Sequence, residues 1–269
     1  EPNFFALEGL DTSNLFRGPG DRAALEAVCV PEKTCYTELF ARAPSNTLVG
    51  EVSPLYLFSP HAPTRIHHHL PHVKLIAILR HPANRAFSNY HHYRQAGLEP
   101  LPTFEQALDA EQDRVSQGWG PWPFWHYQRL GHYAGQLDRY FALFDPAQIF
   151  IALYEDLAAD PPALMKEIFR FLNLDPGAEI DTSIRHNISG MIRNRALHRW
   201  MTQPNPLKSL FNAAISPDRR ARLRNRLTSW NVVRETLAPA TRDRLIAQYE
   251  AGILRLKPMI GRDISSWYR

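Results

Sequence analysis

The sequence predicts an α/β fold of three layers, with a central parallel sheet flanked by helices. Three observations predict it. "KLIAIL" (74–79) and "QIFIALYEDL" (148–157) contain continuous apolar runs of strand length, without polar alternation. That is the pattern of parallel strands buried on both faces. Helical stretches of 10–15 residues separate the strands, as βαβ units require. The composition, 44% hydrophobic and 22% charged, suits a full globular core, and no linker or internal repeat divides residues 1–269. One domain is expected.

The elements follow in order. "NTLVGEVSPLYLF" (46–58) reads as a short strand over Leu48–Glu51, then a turn at Ser53-Pro54. "APTRIHHHLP" (62–71) reads as a short helix closed by Pro71. The strand of 74–79 leads into "PANRAFSNYHHYRQAG" (82–97), a helix with proline in its first turn and Gly97 at its stop. "TFEQALDAEQDRVSQG" (103–118) opens with Thr103 and Gln106 at capping-box spacing. "GHYAGQLDRYFALF" (131–144) carries Tyr133, Leu137, Tyr140 and Phe144 at helical spacing. After the strand ending at Tyr154-Glu155, "PPALMKEIFRFLNL" (161–174) is amphipathic and starts on a proline pair. Residues 178–269 read as helix and loop.

Charge excludes some functions. The formal net charge is +4 with 12 histidines taken as neutral. That suits an anionic ligand and is too weak to indicate nucleic acid. Cys29 and Cys35 in "CVPEKTC" have neither CxxC spacing nor a disulfide framework around them, and read as two ordinary thiols. No apolar run reaches the roughly 18 residues of a membrane span. "IHHHLPH" (66–72) does not make a metal site, because consecutive histidines on a helix point in different directions. No metal is expected.

The most informative stretch is "LIAILRHPANRAFSNY" (75–90). A buried strand ends on Arg80, and a helix follows. Ligands of open α/β sheets bind outside the carboxyl ends of the strands. A helix start there offers unpaired N–H groups and a positive dipole end. Arg80 adds a fork of donors suited to phosphate oxygens. Ser88 stands about two turns into the helix and reaches toward the same anion. Arg85 is a further candidate, with surface pairing as its alternative. On chemistry alone, an arginine capping a sheet edge beside a solvated serine is an equal reading.

The segment "LRHPANRAFSNY" resembles the 3′-phosphate signature of sulfotransferases that use 3′-phosphoadenosine 5′-phosphosulfate (PAPS), R-x-P-x-x-R-x-x-S-x-Y after a strand. Arg80, Pro82, Arg85, Ser88 and Tyr90 all match it. "EPNFF" resembles the end of the family's KE-x-x-FF, and "GEVSPLYLF" its GE-[KV]-[ST]-P-x-Y segment. Residues 131–174 resemble its central stretch, including "YEDL" and "FLNL". "RHNISGMIRN" resembles its late ligand-covering loop and "MIGRDISSW" its C-terminal segment. The likeness runs along essentially the whole chain and is nearest the heparan-sulfate-type and bacterial branch.

The resemblance implies a P-loop-NTPase-like sulfotransferase fold and a roster of roles. Arg80 and Ser88 would bind the 3′-phosphate of PAPS. Arg193, in the late loop, would be a further donor contact, although the family's K-G-R run is absent there. Glu1 matches the glutamate of KE-x-x-FF and would be the general base; the alternative is a frayed terminal carboxylate. The family's phosphate loop, P-K-x-G-T-[TS], is not found. "GLDTSNLFRGPGD" (9–21) has glycines but no lysine and no preceding strand. The chain is therefore expected to resemble the family from just after its first strand–loop–helix, a unit of roughly 30 residues.

Other groups stay open on sequence. Glu51 either meets the acceptor or bonds into the following turn. The family position after it is often lysine; here it is Val52, which puts a highly anionic polysaccharide acceptor in doubt. Glu155 and Asp156 read as structural groups at a strand end. "WGPWPFWHY" (119–127) either lines an acceptor pocket or fills the core. "DRRARLRNRLTSW" (218–230) places its arginines on the solvated face of an amphipathic helix, with attraction of anions as the alternative.

The expectation is a PAPS-dependent sulfotransferase acting on a hydroxyl or amine of a carbohydrate or other small acceptor. Two rivals stand beside it. A nucleotide kinase-like P-loop enzyme would carry G-K-[ST] upstream and magnesium ligands. A non-catalytic nucleotide-binding relative would keep the fold without turnover. Oligomeric state is not legible. The lack of a leader or membrane segment favours cytoplasm, but a chain that starts inside a motif leaves the compartment open.

Overall fold

The computed structural model describes residues 1–10, 18, 29–119, 125–182, 191–192, 232–233 and 235–268. Helix α1 (Phe4–Leu7) is short and wholly buried. Helices α2 (Lys33–Glu38), α3 (Leu55–Phe58) and α4 (Ala62–His69) lead to strand β1 (Leu75–Leu79). Next come α5 (Pro82–Ala96), α6 (Phe104–Asp109), α7 (Glu111–Ser116) and α8 (Tyr133–Phe141). Strand β2 (Ile149–Leu153) runs directly into α9 (Tyr154–Ala159) and α10 (Pro161–Leu172). Two short strands, β3 (Met191–Ile192) and β4 (Val232–Val233), pair antiparallel, and α11 (Pro239–Ile260) closes the chain.

The β1–β2 pair is parallel, with Leu75 opposite Ile149 and Leu79 opposite Leu153. The α/β class with a parallel sheet is as expected. The strand expected over Leu48–Glu51 does not form: these residues are extended coil, with Leu48 56% and Val49 47% exposed. No neighbouring strand among the described residues takes up their backbone groups, and a strand without a ladder has nothing to hold it.

Burial of β1 on both faces also needs correction. Leu79 is buried, but Ile76 and Ile78 are 41% and 47% exposed. The register gives the reason. Ile76 and Ile78 share a face with Phe150 and Ala152. Helix α10 covers that face over β2, where Ala152 packs with Leu164 and Ile168, and stops short of β1. The opposite face is better covered, half-buried at Leu75, Ala77, Ile149 and Ile151 and buried at Leu79 and Leu153. There Leu79 and Leu153 join Tyr90, Leu137, Tyr249 and Trp267 in the main core.

Local chemistry explains the boundaries. Thr103 Oγ1 accepts from the Gln106 N–H at 3.3 Å and starts α6. The helix expected over 103–118 breaks at Ala110 into α6 and α7. Asp160 caps α10, accepting from Ala163 N–H at 3.0 Å, and Asn173 in the left-handed region ends it. Helix α5 ends at Gly97, whose φ of 76° is one that glycine adopts without strain.

Candidate functional site

The parallel register builds the site. Because Leu79 pairs with Leu153, the next residues, Arg80 and Tyr154, emerge together at the carboxyl edge of the sheet. The Arg80 guanidinium lies over the Tyr154 ring, 4.6 Å from its centre. The Arg80 carbonyl accepts from the Tyr133 hydroxyl at 2.9 Å. Burial raises the Tyr133 hydroxyl to about 12, so it remains a donor at any working pH. Arg80 thus has a fixed backbone and a stacked side chain, and among the described residues no carboxylate pairs with it. A cation so placed suits an anionic ligand.

The helix start beside it is not the open anion site expected from the sequence. His81 is the N-cap of α5, and its Nδ1 accepts from Ala83 N–H at 3.2 Å. Pro82 has no N–H to offer. Of the first two helix positions, one donor is therefore taken and the other missing. His81 itself is buried against Trp267, ring centres 6.1 Å apart.

Ser88 is half-buried on the second turn of α5. Arg85, one turn before it, makes no ion pair among the described residues. Its Nη1 is buried without a hydrogen-bond partner among them, and its charge lowers Tyr93, Tyr133 and Tyr249 against the upward push of burial. Glu1 is exposed. Burial raises the Tyr93 hydroxyl, and the Glu1 charge adds to that rise. Arg80 and Ser88 thus lie on the strand end and the helix that follows it. Arg193 lies outside the described residues, as do 183–190 of the late loop and all of 218–230.

Several of the remaining candidates have partners within the fold. Glu51 bonds into the turn, accepting from Ser53 Oγ at 2.7 Å. Asp156 accepts from Leu153 N–H at 3.0 Å and from Arg262 at 2.8 Å on each oxygen, joining "YEDL" to "MIGRD". Trp125 is core, its Nε1 donating to Leu98 O at 3.0 Å. Residues 120–124 of the same loop lie outside the described residues. His69 pairs with Glu8 at 2.8 Å while His67 meets the Phe144 ring, so neighbouring histidines diverge as helical geometry requires. Cys29 is partly buried and Cys35 is exposed.

Sequence reasoning missed Tyr154 as a site residue. The signal was present: "LIAILR" and "IFIALY" are two apolar runs of equal length, each ending on a residue able to stack or pair.

The family model for the sulfotransferase domain matches residues 24–202. A heparan sulfate glucosamine 3-O-sulfotransferase 6 of Homo sapiens is 30% identical over 141 residues, 52% of this chain and 39% of that protein. A bifunctional heparan sulfate N-deacetylase/N-sulfotransferase of Drosophila melanogaster is 29% identical over 153 residues, 54% of this chain and 14% of that protein. The chain thus spans well under half the length of these relatives. The crystal structure of a sulfotransferase from Alicyclobacillus acidocaldarius superposes with a TM-score of 0.73 at 26% identity, covering 100% of this chain and 86% of that one. The matched domain, the shared fold and the strand-end arginine ahead of α5 make this chain a member of the sulfotransferase domain family.

Proposed function

We propose that the protein transfers the sulfuryl group of PAPS to a hydroxyl or amine of a carbohydrate or other small acceptor. The observation that carries this reading is Arg80, stacked on Tyr154 at the carboxyl edge of the sheet and without a carboxylate partner among the described residues. A dianionic 3′-phosphate is the ligand such a group fits, with Ser88 adding a hydroxyl from α5.

In the reaction the acceptor oxygen or nitrogen attacks sulfur in line with the departing phosphate oxygen. The S–O bond to the phosphate breaks as the new bond to sulfur forms. Glu1 takes the acceptor proton, and adenosine 3′,5′-bisphosphate leaves. Burial of Tyr133 and the bond it gives the Arg80 carbonyl hold the strand end still while this happens. The relatives named for heparan sulfate favour a saccharide acceptor. Val52, 75% exposed where the family carries lysine, favours one less anionic than heparan sulfate itself.

The test is thermal stabilisation by adenosine 3′,5′-bisphosphate. Wild type should be stabilised and Arg80→Ala should not. Equal stabilisation of both would remove Arg80 from the site. A non-catalytic relative would bind the bisphosphate weakly and leave PAPS unconsumed.

A further inference from the structure

Glu51 stands at the centre of a hydrogen-bond hub that no reading of the reaction uses. Its Oε1 accepts from Tyr56 at 2.5 Å and from Tyr36 at 3.4 Å, and its Oε2 accepts from Ser53 at 2.7 Å. All three donors are hydroxyls, and a hydroxyl carries one hydrogen and two lone pairs. Once Glu51 has claimed the hydrogens, the lone pairs of Ser53 and Tyr56 face elsewhere. The Ser53 oxygen accepts from Asn3 N–H at 3.0 Å, and the Tyr56 oxygen accepts from Phe5 N–H at 3.4 Å.

Those two amides lie at the N-terminal end of α1. Asn3 is its N-cap, in the left-handed region at φ 54°, and makes no side-chain cap. Its Nδ2 instead donates backward to the Glu1 carbonyl at 2.8 Å. The chain of bonds runs from Glu51 to Ser53, to the Asn3 backbone, and through the Asn3 amide to Glu1. Asn3 is fully buried, so this end of the helix cannot turn to water for its partners. The phenols stay protonated throughout, since burial and the Glu51 charge both raise Tyr36 and Tyr56.

We propose that Glu51 is a positioning residue that fixes the backbone segment carrying Glu1. It does so by polarising Ser53 and Tyr56 into acceptors for the α1 amides. An amide in its place would put a donor where one hydroxyl hydrogen now points. The hydroxyl facing that donor would have to turn its hydrogen away, and it would lose the charged partner that fixes its direction and so hold its backbone N–H less firmly. This rests on the reading of Glu1 as the base.

The test uses the full-length protein as wild type, Glu51→Gln, Tyr56→Phe and Glu1→Gln. Two quantities are read: amide exchange of residues 1–8, and transfer of labelled sulfate from PAPS to de-N-sulfated heparan sulfate. Glu51→Gln should speed exchange at Asn3 and Phe5 by about tenfold or more. It should lower kcat by about 10–100-fold with little change in PAPS KM, since misplacing a reacting group by about 1 Å costs rate on that order. Tyr56→Phe should release Phe5 alone and show a smaller kcat loss. A purely structural role would lower the melting temperature and leave kcat in place. Unchanged exchange in Glu51→Gln overturns the proposal, as does faster exchange with unchanged kcat. If Glu1→Gln retains full transfer, the base assignment fails instead. If wild type gives no transfer to this acceptor, the exchange result decides alone whether Glu51 holds the segment.

Discussion

Arg80 and Tyr154 each stand one residue past the end of a parallel strand, and the guanidinium of the first lies 4.6 Å from the ring centre of the second. Stacking leaves the edge of the guanidinium plane, where its donors are, free to meet an anion. Two neighbouring strand ends thereby hold a cation and an aromatic ring face to face.

Arg80→Ala should weaken adenosine 3′,5′-bisphosphate binding by about 10–100-fold, the range for losing charge-assisted hydrogen bonds. Arg80→Lys should fall between, because it keeps the charge but loses the planar fork and the stack. Titration calorimetry reads both. The unfolding midpoint of each variant should stay near that of wild type, since Arg80 is half-exposed and outside the main core.

Glu1→Gln should lower kcat by about 100-fold or more while leaving bisphosphate affinity unchanged, the signature of a lost general base. Steady-state kinetics beside calorimetry separates the two quantities.

Asp156 bonds to both Arg262 and Leu153 N–H, so its two substitutions should differ. Arg262→Ala should cost about 0.5–1 kcal/mol, the pair being a third exposed. Asp156→Ala should cost about 1 kcal/mol more, because it also uncaps the Leu153 amide at the end of β2. Urea unfolding checks the order.

Glu99 and Arg114 form a buried two-pronged pair at 2.7 and 2.8 Å, and Tyr127 donates to the same carboxylate at 2.6 Å. Arg114→Met would strand the carboxylate and should cost about 3–5 kcal/mol. Tyr127→Phe removes one neutral donor and should cost about 1–2 kcal/mol. A larger loss for Tyr127→Phe than for Arg114→Met would contradict the pairing.

His126 is buried, and burial with the nearby Arg129 charge lowers it to about 4. The unfolded chain holds the ordinary value near 6.5. Below that value the unfolded state takes up a proton that the folded state refuses, so stability falls as pH drops from about 6.5 toward 4. The slope from one such group is about 1.4 kcal/mol per pH unit. His126→Phe should flatten the decline of the urea midpoint between pH 7 and 5. An unaltered slope would mean His126 protonates in the fold.

Much of this was written in local pattern. Arg80 after "LIAIL", the helix that Gly97 stops and the amphipathic run of 161–172 follow from spacing and caps that act over a few residues. The likeness of the separate segments also pointed to the family. Contacts between distant segments were not so written. Glu51 as hub, Arg262 on Asp156 and His81 closing the helix start depend on where other parts of the chain arrive.

Chain-local chemistry therefore determined the class of fold and the arginine at the strand end. Tertiary packing decided which faces are covered. Ile76 and Ile78 read as core like every apolar strand residue, yet they are exposed because α10 lies over β2 alone. Hydrophobic patterning states what can be buried. The docking of whole elements decides what is, since burial needs a partner surface and not only an apolar side chain.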